Sequence, residues 1–205
     1  MFRRVLAAFV AVVVLAGCSG SPPKPAPPPP SPAVDGADSG GRLALWVRAP
    51  LEVQATLLVD AYNATHTNHV ELTLAPDLPA RVDAAAGTGA LPDLFAGAVA
   101  DVPGWTGRGL YRDLTTDIAR LPFAAQLDQP SVQAGAKHAL PFVLNDRGAD
   151  DIGISRDSKQ ADRAWNFIAW VLSDEAQVQV LARNGDKVAR ADLQANEFSQ
   201  KGASS

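Results

Sequence analysis

Four side chains suited to binding a polar ligand follow two of the predicted strands. Arg48 and Glu52 come just after the first apolar run, and Asp101 and Trp105 come after the third. Carboxylates and a guanidinium exchange hydrogen bonds with hydroxyl groups, and an aromatic face can stack on a sugar ring. We therefore predict that these four residues bind a ligand. For the three charged residues the alternative is a solvated surface position, and for Trp105 core packing is the favoured alternative.

Other kinds of reactive site are weakly supported. His66 and His69 lie in a polar turn without a cysteine or a nearby cluster of carboxylates, so we predict no metal site. No serine-hydrolase, zinc-protease or phosphate-loop motif occurs. Asp150 and Asp151 suggest glycoside hydrolysis, but their polar surroundings predict two solvated side chains. We expect no cofactor and no enzymatic activity, and a cell-envelope carbohydrate enzyme is the disfavoured alternative.

The first residues are typical of an export signal. Arg3 and Arg4 precede an apolar run over residues 5–15, which is too short to span a bilayer and is followed by Ala16-Gly17-Cys18. Because this is the chain's single cysteine, it has no partner for an internal disulfide. We predict a signal peptide over residues 1–17 and lipidation of the Cys18 thiol, which would hold the protein on the extracytoplasmic face of the cell membrane.

Composition divides the remaining chain into a tether and one domain. Residues 18–41 contain a dense proline run, which favours an extended polyproline II spacer. Residues 42–205 have the length and apolar content of a single domain. The formal net charge of −4 and the lack of a basic cluster argue against nucleic acid as a partner.

Hydrophobic periodicity in residues 42–205 predicts an α/β domain. Apolar or alternating runs predict strands at 42–47, 70–75, 94–98, 139–144 and 152–155. Helical spacing predicts helices at 51–64, 78–86, 159–172 and 174–182, with one or two helical turns at 102–108. Because strands and helices alternate with short connections, we expect a mainly parallel sheet with flanking helices.

Several short segments occur in an order that is known from one protein family. They are Ala61-Tyr62-Asn63 with Val70-Glu71-Leu72, Leu91-Pro92-Asp93-Leu94, Gly109-Leu110-Tyr111-Arg112-Asp113-Leu114-Thr115, Leu140-Pro141-Phe142-Val143-Leu144, and Gly153-Ile154-Ser155-Arg156-Asp157-Ser158-Lys159 followed by Ala164-Trp165-Asn166-Phe167-Ile168-Ala169-Trp170. Together with Leu15-Ala16-Gly17-Cys18, this order resembles that of family-one extracellular solute-binding proteins, the lipoprotein receptors of sugar ABC importers. The resemblance covers nearly all of residues 42–185.

The resemblance implies a binding function, but this chain differs from the family in the spacing of two segments. Members of the family close two α/β lobes on a sugar and deliver it to permease subunits in the membrane. In this chain the Leu140 segment is followed almost at once by the Gly153 segment, whereas most of the second lobe separates them in the family. We therefore expect a single periplasmic-binding-protein-like lobe that binds a carbohydrate. A shortened, decayed member that no longer binds sugar is the alternative.

The lipid anchor gives a direct test. Replacing Cys18→Ala removes the thiol that would carry the lipid, so we expect the variant to lose metabolic labelling with a palmitate analogue and to leave the membrane fraction. Ser19→Ala serves as the matched control and should behave as wild type. Retention of Cys18→Ala in membranes at the wild-type level would contradict the predicted anchor.

Overall fold

A computed structural model describes residues 35–146 and 148–199. The predicted signal peptide (1–17) and Cys18 lie outside the described residues, as does most of the predicted tether (18–41). The described part contains one five-stranded sheet of order β2-β1-β3-β5-β4. The strands are β1 (Arg42–Arg48), β2 (His69–Ala75), β3 (Leu94–Ala98), β4 (Ala139–Asn145) and β5 (Gly148–Ile154).

The sheet is parallel on one side and antiparallel on the other, so it is mixed and not mainly parallel as expected. β1 pairs in parallel with both β2 and β3, as the alternation of strands and helices predicted. β5 lies between β3 and β4 and is antiparallel to both. Because only two residues separate β4 from β5 and the two strands pair antiparallel, they form a hairpin within the sheet. The predicted α/β class with one sheet and flanking helices is confirmed.

Helices cover the sheet. Those that were predicted have bounds close to the observed ones, whereas two short helices, Thr115–Ile118 and Gln129–Gly135, were not predicted. The helices are α1 (Glu52–Thr65), α2 (Leu78–Ala86), α3 (Val102–Gly107), α4 (Thr115–Ile118), α5 (Gln129–Gly135) and α6 (Ala161–Val171), followed by a π-helix (Glu175–Leu181). The α2 bounds agree fully because the Asp77 carboxylate accepts a hydrogen bond from the Ala80 amide and thereby caps the helix. Within residues 35–146 and 148–199, no helix is long and apolar enough to cross a membrane.

Alternating side chains of the strands make two apolar layers. On one face Leu43, Leu45 and Val47 are fully buried against α1 and α6. On the other face Phe95 stacks on Tyr111 at 4.1 Å between ring centroids. Burial on both faces is the pattern expected of a sheet covered by helices on each side.

Two apolar residues of α1 do not face the core. Val53 and Leu57 share the helical spacing that predicted this helix, but they are 58% and 37% exposed. The sheet is instead covered by the stripe Ala55, Leu58, Val59 and Tyr62. Trp46 is only half-buried, with the Arg81 guanidinium 4.1 Å above its ring.

The packed fold extends further toward the N-terminus than residue 42. The Asp38 carboxylate accepts hydrogen bonds from the backbone amides of Thr67 and Asn68. The Asn166 side chain of α6 donates to the Asp35 carbonyl oxygen at 2.9 Å. Residues 35–41 therefore contact the domain, although they were assigned to the tether. The contacts are polar, so no hydrophobic pattern marked them.

The α6 helix provides a test of the core. Trp165 is 2% exposed, so truncating it removes a large buried side chain, and Trp165→Ala should lower the free energy of unfolding by about 3–5 kcal/mol. A domain of this kind holds only about 5–15 kcal/mol, so the variant should be largely unfolded near body temperature. The measurement is thermal unfolding followed by circular dichroism. Val53→Ala on the exposed side of α1 is the control and should melt close to wild type. Equal melting of Trp165→Ala and wild type would show that α6 does not pack as described.

Candidate functional site

The carboxyl ends of the parallel strands gather several charged residues at one edge of the sheet. β1 ends at Arg48 and β3 ends at Ala98. Because β5 is antiparallel, its first residues lie beside these ends, and Asp150 pairs with Ala98 in the strand register. In open α/β sheets this edge is where ligands usually bind. We call it the carboxyl edge.

The central contact of the carboxyl edge is a bidentate ion pair. The Arg48 Nε donates to Asp150 Oδ1, and Arg48 Nη2 donates to Asp150 Oδ2 at 2.7 Å. The Asp150 side chain is fully buried, whereas 28% of the Arg48 side chain is exposed. The hydrogen bond to Asp150 raises the pKa of the Arg48 guanidinium, burial lowers it, and the charges of Asp150 and Asp101 raise it further. The guanidinium is therefore fixed in place while part of it remains open to solvent.

The structure brings two of the predicted site residues together and leaves a third at the rim. Asp101 precedes α3, and its negative charge helps to raise the pKa of the Arg48 guanidinium. Glu52 is the exposed first residue of α1, where a carboxylate favours the helix N-terminus. Its side chain makes no hydrogen bond or ion pair with any residue that the structure describes. Arg48, Asp101 and Glu52 can therefore offer both donors and acceptors to a polar ligand.

Trp105 does not lie with these residues. Its side chain is 3% exposed and packs edge-on against Phe95 and Tyr111, with ring centroids 5.3 and 6.1 Å away. Gly97 lies directly beneath it, and a Cβ atom at Gly97 would approach the Trp105 ring to 2.5 Å. The indole faces are thus covered by protein. Core packing, which the sequence favoured, accounts for Trp105, and no open ring face is left for stacking on a sugar.

The prediction that Asp150 and Asp151 are solvated is wrong. Both side chains are fully buried, because β5 begins at Gly148 and not at the predicted position 152. The alternation of Ile152 and Ile154, extended backwards, would have placed Asp150 on the same buried face. Adjacent strand residues point to opposite faces of a sheet, so the two carboxyl groups cannot flank one glycosidic bond. This geometry disfavours the glycosidase alternative.

Asp151 is a buried acid in an unusual state. Its two carboxyl oxygens and the Ser131 hydroxyl are buried and lack a hydrogen-bond partner within the described part of the chain. Burial raises the pKa of Asp151 to about 7. The nearby Ser131 hydroxyl opposes the rise without a hydrogen bond of regular geometry, and the charges of Asp128 and Asp150 add to it. The protonated carboxyl group is therefore the form that this part of the fold favours below neutral pH.

The two histidines of the polar turn differ in their contacts. His66 stacks on Tyr62 with ring centroids 4.0 Å apart, and its Nδ1 lies 3.1 Å from the Tyr62 carbonyl oxygen. His69 is exposed at the start of β2. Among residues 35–146 and 148–199 there is no group of three or more side chains arranged to hold a metal ion.

Protonation of Asp151 should make stability depend on pH. Its pKa is 3.8 in an ordinary environment and about 7 in the fold, so the folded state binds the proton more tightly. The contribution of Asp151 to the free energy of unfolding is fully present below pH 3.8, and it is lost as the pH rises through about 7. At about 1.36 kcal/mol for each pKa unit, the effect is on the order of 4 kcal/mol.

Asp151→Asn keeps the shape of the protonated acid and removes the titration. In urea unfolding at mildly acidic and mildly alkaline pH, the variant should lose less stability than wild type as the pH rises. Asp60→Asn, an exposed change on α1, is the control for the remaining charges. An identical pH dependence in Asp151→Asn and wild type would contradict a protonated, buried Asp151.

Known proteins resemble this chain only at low identity. No protein-family model matches this sequence, and no curated protein is similar enough to be matched. Among solved structures, the chain resembles an ABC transporter solute-binding protein from Thermotoga lettingae bound with α-D-tagatose, at 17% identity and a TM-score of 0.45, over 50% of this chain and 29% of that one. It also resembles the galacto-N-biose/lacto-N-biose I-binding protein from Bifidobacterium longum, at 21% identity and a TM-score of 0.43, over 53% and 30% of the two chains.

A third similarity extends over most of both chains. The Atu4243-GABA receptor is 9% identical with a TM-score of 0.57, and the match covers 73% of this chain and 83% of that one. By contrast, the chain spans less than a third of the two sugar-binding proteins. At these identities the comparisons speak for the fold alone. The chain has a periplasmic-binding-protein fold, built as a single mixed sheet with flanking helices.

Proposed function

We propose that this chain is a lipid-anchored, extracytoplasmic carbohydrate-binding protein that works with the permease subunits of an ABC importer. The observation that carries the proposal is the Arg48 guanidinium, held at the carboxyl edge by the buried carboxylate of Asp150. A donor group held in one orientation loses little conformational freedom when a ligand binds. The order of sequence segments shared with sugar importers supports the same function.

The charges around Arg48 favour a neutral ligand rich in hydroxyl groups. Asp150 already compensates the positive charge of Arg48, and Asp101 adds a further negative charge nearby. Glu52 extends this acidic rim at the start of α1. A ligand carboxylate would therefore meet net repulsion at the carboxyl edge. Hydroxyl groups of a saccharide can instead donate to Asp101 and Glu52 and accept from Arg48.

The single sheet limits the affinity that we expect for a ligand. Small-ligand sites usually bury most of the ligand surface, and a two-lobed receptor does so by closing. The carboxyl edge is one wall, so a large part of these contacts is missing. We propose weak binding without a closing motion. The dissociation constants should be on the order of millimolar, which corresponds to a binding free energy of about −4 kcal/mol.

The test is a calorimetric and NMR titration with glucose, galactose, maltose and β-1,6-galactobiose, and with 4-aminobutyrate for comparison. We expect weak saturable binding of at least one saccharide, and no binding of 4-aminobutyrate. Glu52→Gln should weaken saccharide binding several-fold without changing the melting temperature, because Glu52 is exposed.

Glu175→Gln is the matched control, since Glu175 is also an exposed glutamate in a first helical turn. It should bind as wild type does. Failure of every saccharide to bind would favour the decayed member, and preferential binding of 4-aminobutyrate would overturn the carbohydrate assignment. Turnover of a glycan would revive the enzyme alternative.

A further inference from the structure

The strand β2 lies at one end of the described sheet, where β1 is its neighbour on one side only. The His69 amide donates to the Gly41 carbonyl oxygen at 2.7 Å on the β1 side. Backbone groups alternate in direction along a strand, so those of Val70 point away from β1. Asn63 confirms this direction, because its side-chain amide exchanges hydrogen bonds of 2.8 and 3.0 Å with the Val70 amide and carbonyl groups.

The same alternation directs the backbone groups of Leu72 and Leu74 outward, and there they are unpaired. Within residues 35–146 and 148–199, neither residue makes a backbone hydrogen bond beyond the strand pairing with β1. Natural edge strands usually carry lysine, proline or a bulge that prevents edge-to-edge pairing, and β2 has none of these. The charge of Glu71 is paired with Arg42 of β1. The edge is therefore open to pairing with another strand.

Two features limit this open edge to residues 71–75, which we call the β2 edge. At one end the Asn63 side chain occupies the backbone groups of Val70. At the other end Pro76 has no amide hydrogen, so it cannot extend a ladder of hydrogen bonds. Thr73 lies at the midpoint of the segment. The β2 edge is thus symmetric about Thr73 in the positions that can pair.

A second copy of the chain fits the β2 edge in an antiparallel register centred on Thr73. In this register Leu72 of each copy faces Leu74 of the other, and each such pair exchanges both of its amide-to-carbonyl hydrogen bonds. The facing side chains are apolar and half-buried in the single chain, so pairing removes more of their surface from water. Thr73 faces Thr73, which is a favourable cross-strand pair.

The remaining positions also agree with this register. Glu71 faces Ala75 of the second copy, so no like charges lie directly opposite one another. Val70, whose backbone groups are held by Asn63, falls opposite Pro76. The two positions that cannot pair therefore coincide, and no outward amide within residues 71–75 is left without an acceptor.

We propose that two copies of this chain associate through their β2 edges, with residues 71–75 paired antiparallel about a two-fold axis at Thr73. A contact of this kind uses the same patch on both subunits, so the patch must be complementary to itself, as the β2 edge is. The paired strands run in opposite directions, so the two carboxyl edges point to opposite sides and both stay open. The inference does not depend on the proposed ligand.

The short length of the β2 edge determines how strong the dimer should be. Stable protein interfaces usually bury roughly 1,200–2,000 Å² in total, and five paired residues on each copy bury less than this. We therefore expect a reversible dimer that forms at high protein concentration and dissociates on dilution.

The test is sedimentation equilibrium of the full chain over roughly 10 μM to 1 mM protein, the range suited to a small interface. For wild type we expect the average mass to rise with concentration toward twice that of the monomer. Thr73→Lys places two cations opposite each other across the axis, and Thr73→Glu places two carboxylates there. Each variant alone should therefore stay monomeric where half of the wild type is dimeric. An equimolar mixture of the two variants should associate again, because unlike charges then face each other.

Thr56→Lys and Thr56→Glu are the matched controls, since Thr56 is an exposed threonine of α1 and these changes alter the net charge equally. Both should dimerise as wild type does. All variants keep the same N-terminal residues, so association through that part of the chain would persist in the Thr73 variants. Amide hydrogen exchange gives a second measurement. The amides of Leu72 and Leu74 should exchange more slowly at high protein concentration in wild type but not in Thr73→Lys.

Each result decides for or against the two-fold contact. Wild type that remains monomeric over the whole range overturns the dimer and leaves a strand of an unlike protein as the candidate occupant of the β2 edge. Association that persists equally in Thr73→Lys and Thr73→Glu places the contact elsewhere on the molecule. A mixture of these variants that stays monomeric, with both melting as wild type does, overturns the register centred on Thr73.

Discussion

The insertion of β5 between β3 and β4 is the constraint on which the rest of the structure depends. Its backbone pairs with both neighbours, so it closes the gap between the parallel strands and the edge strand β4. Ile152 and Ile154 complete the apolar layer beneath α6. The same strand carries Asp150 and Asp151 into the interior, where each must be accommodated. The strand β5 therefore completes the core and also places two carboxyl groups inside it.

The two buried carboxyl groups are stabilised in different ways. Asp150 is matched by a guanidinium in bidentate geometry, and removal of one partner from such a pair usually costs more than the pair contributes. Among residues 35–146 and 148–199 no cation lies beside Asp151, so burial favours its protonated form. The pair also orients Arg48 toward solvent at the carboxyl edge, and the position of β5 thereby determines what a ligand can meet there. In our proposal, structural and binding roles coincide at Arg48.

A single sheet offers a different binding surface from a two-lobed clamp. A clamp gains ligand contacts by moving, whereas the carboxyl edge is held by contacts within one lobe, such as the ion pair of Arg48 and Asp150. In our proposal, a fixed surface lowers the ordering cost of binding but provides no closing motion to report it. In our proposal, any signal to permease subunits would thus depend on the surface of the bound complex and not on domain closure.

Local sequence patterns predicted most of the elements. Runs such as Leu43–Val47 alternate against a polar background, and Asp77 with Pro79 marks the start of α2, so these bounds depend on neighbours in the chain. The short spacing between two family-like segments was visible in the sequence, but their pairing as the hairpin of β4 and β5 was not predicted. The export signal and Cys18 are also properties of local order, and they remain predictions.

Tertiary structure alone decided where the charged residues lie. Asp150 and Asp151 follow a polar turn in sequence, and only their pairing with β3 and β4 buries them. Arg48 and Asp150 are far apart in the chain, so no local pattern could show that they meet. Gln54 and Asp186 likewise form a hydrogen bond although they are far apart in the chain. Periodicity records which face of one element is apolar, whereas the partner of a charge is set by how the elements assemble.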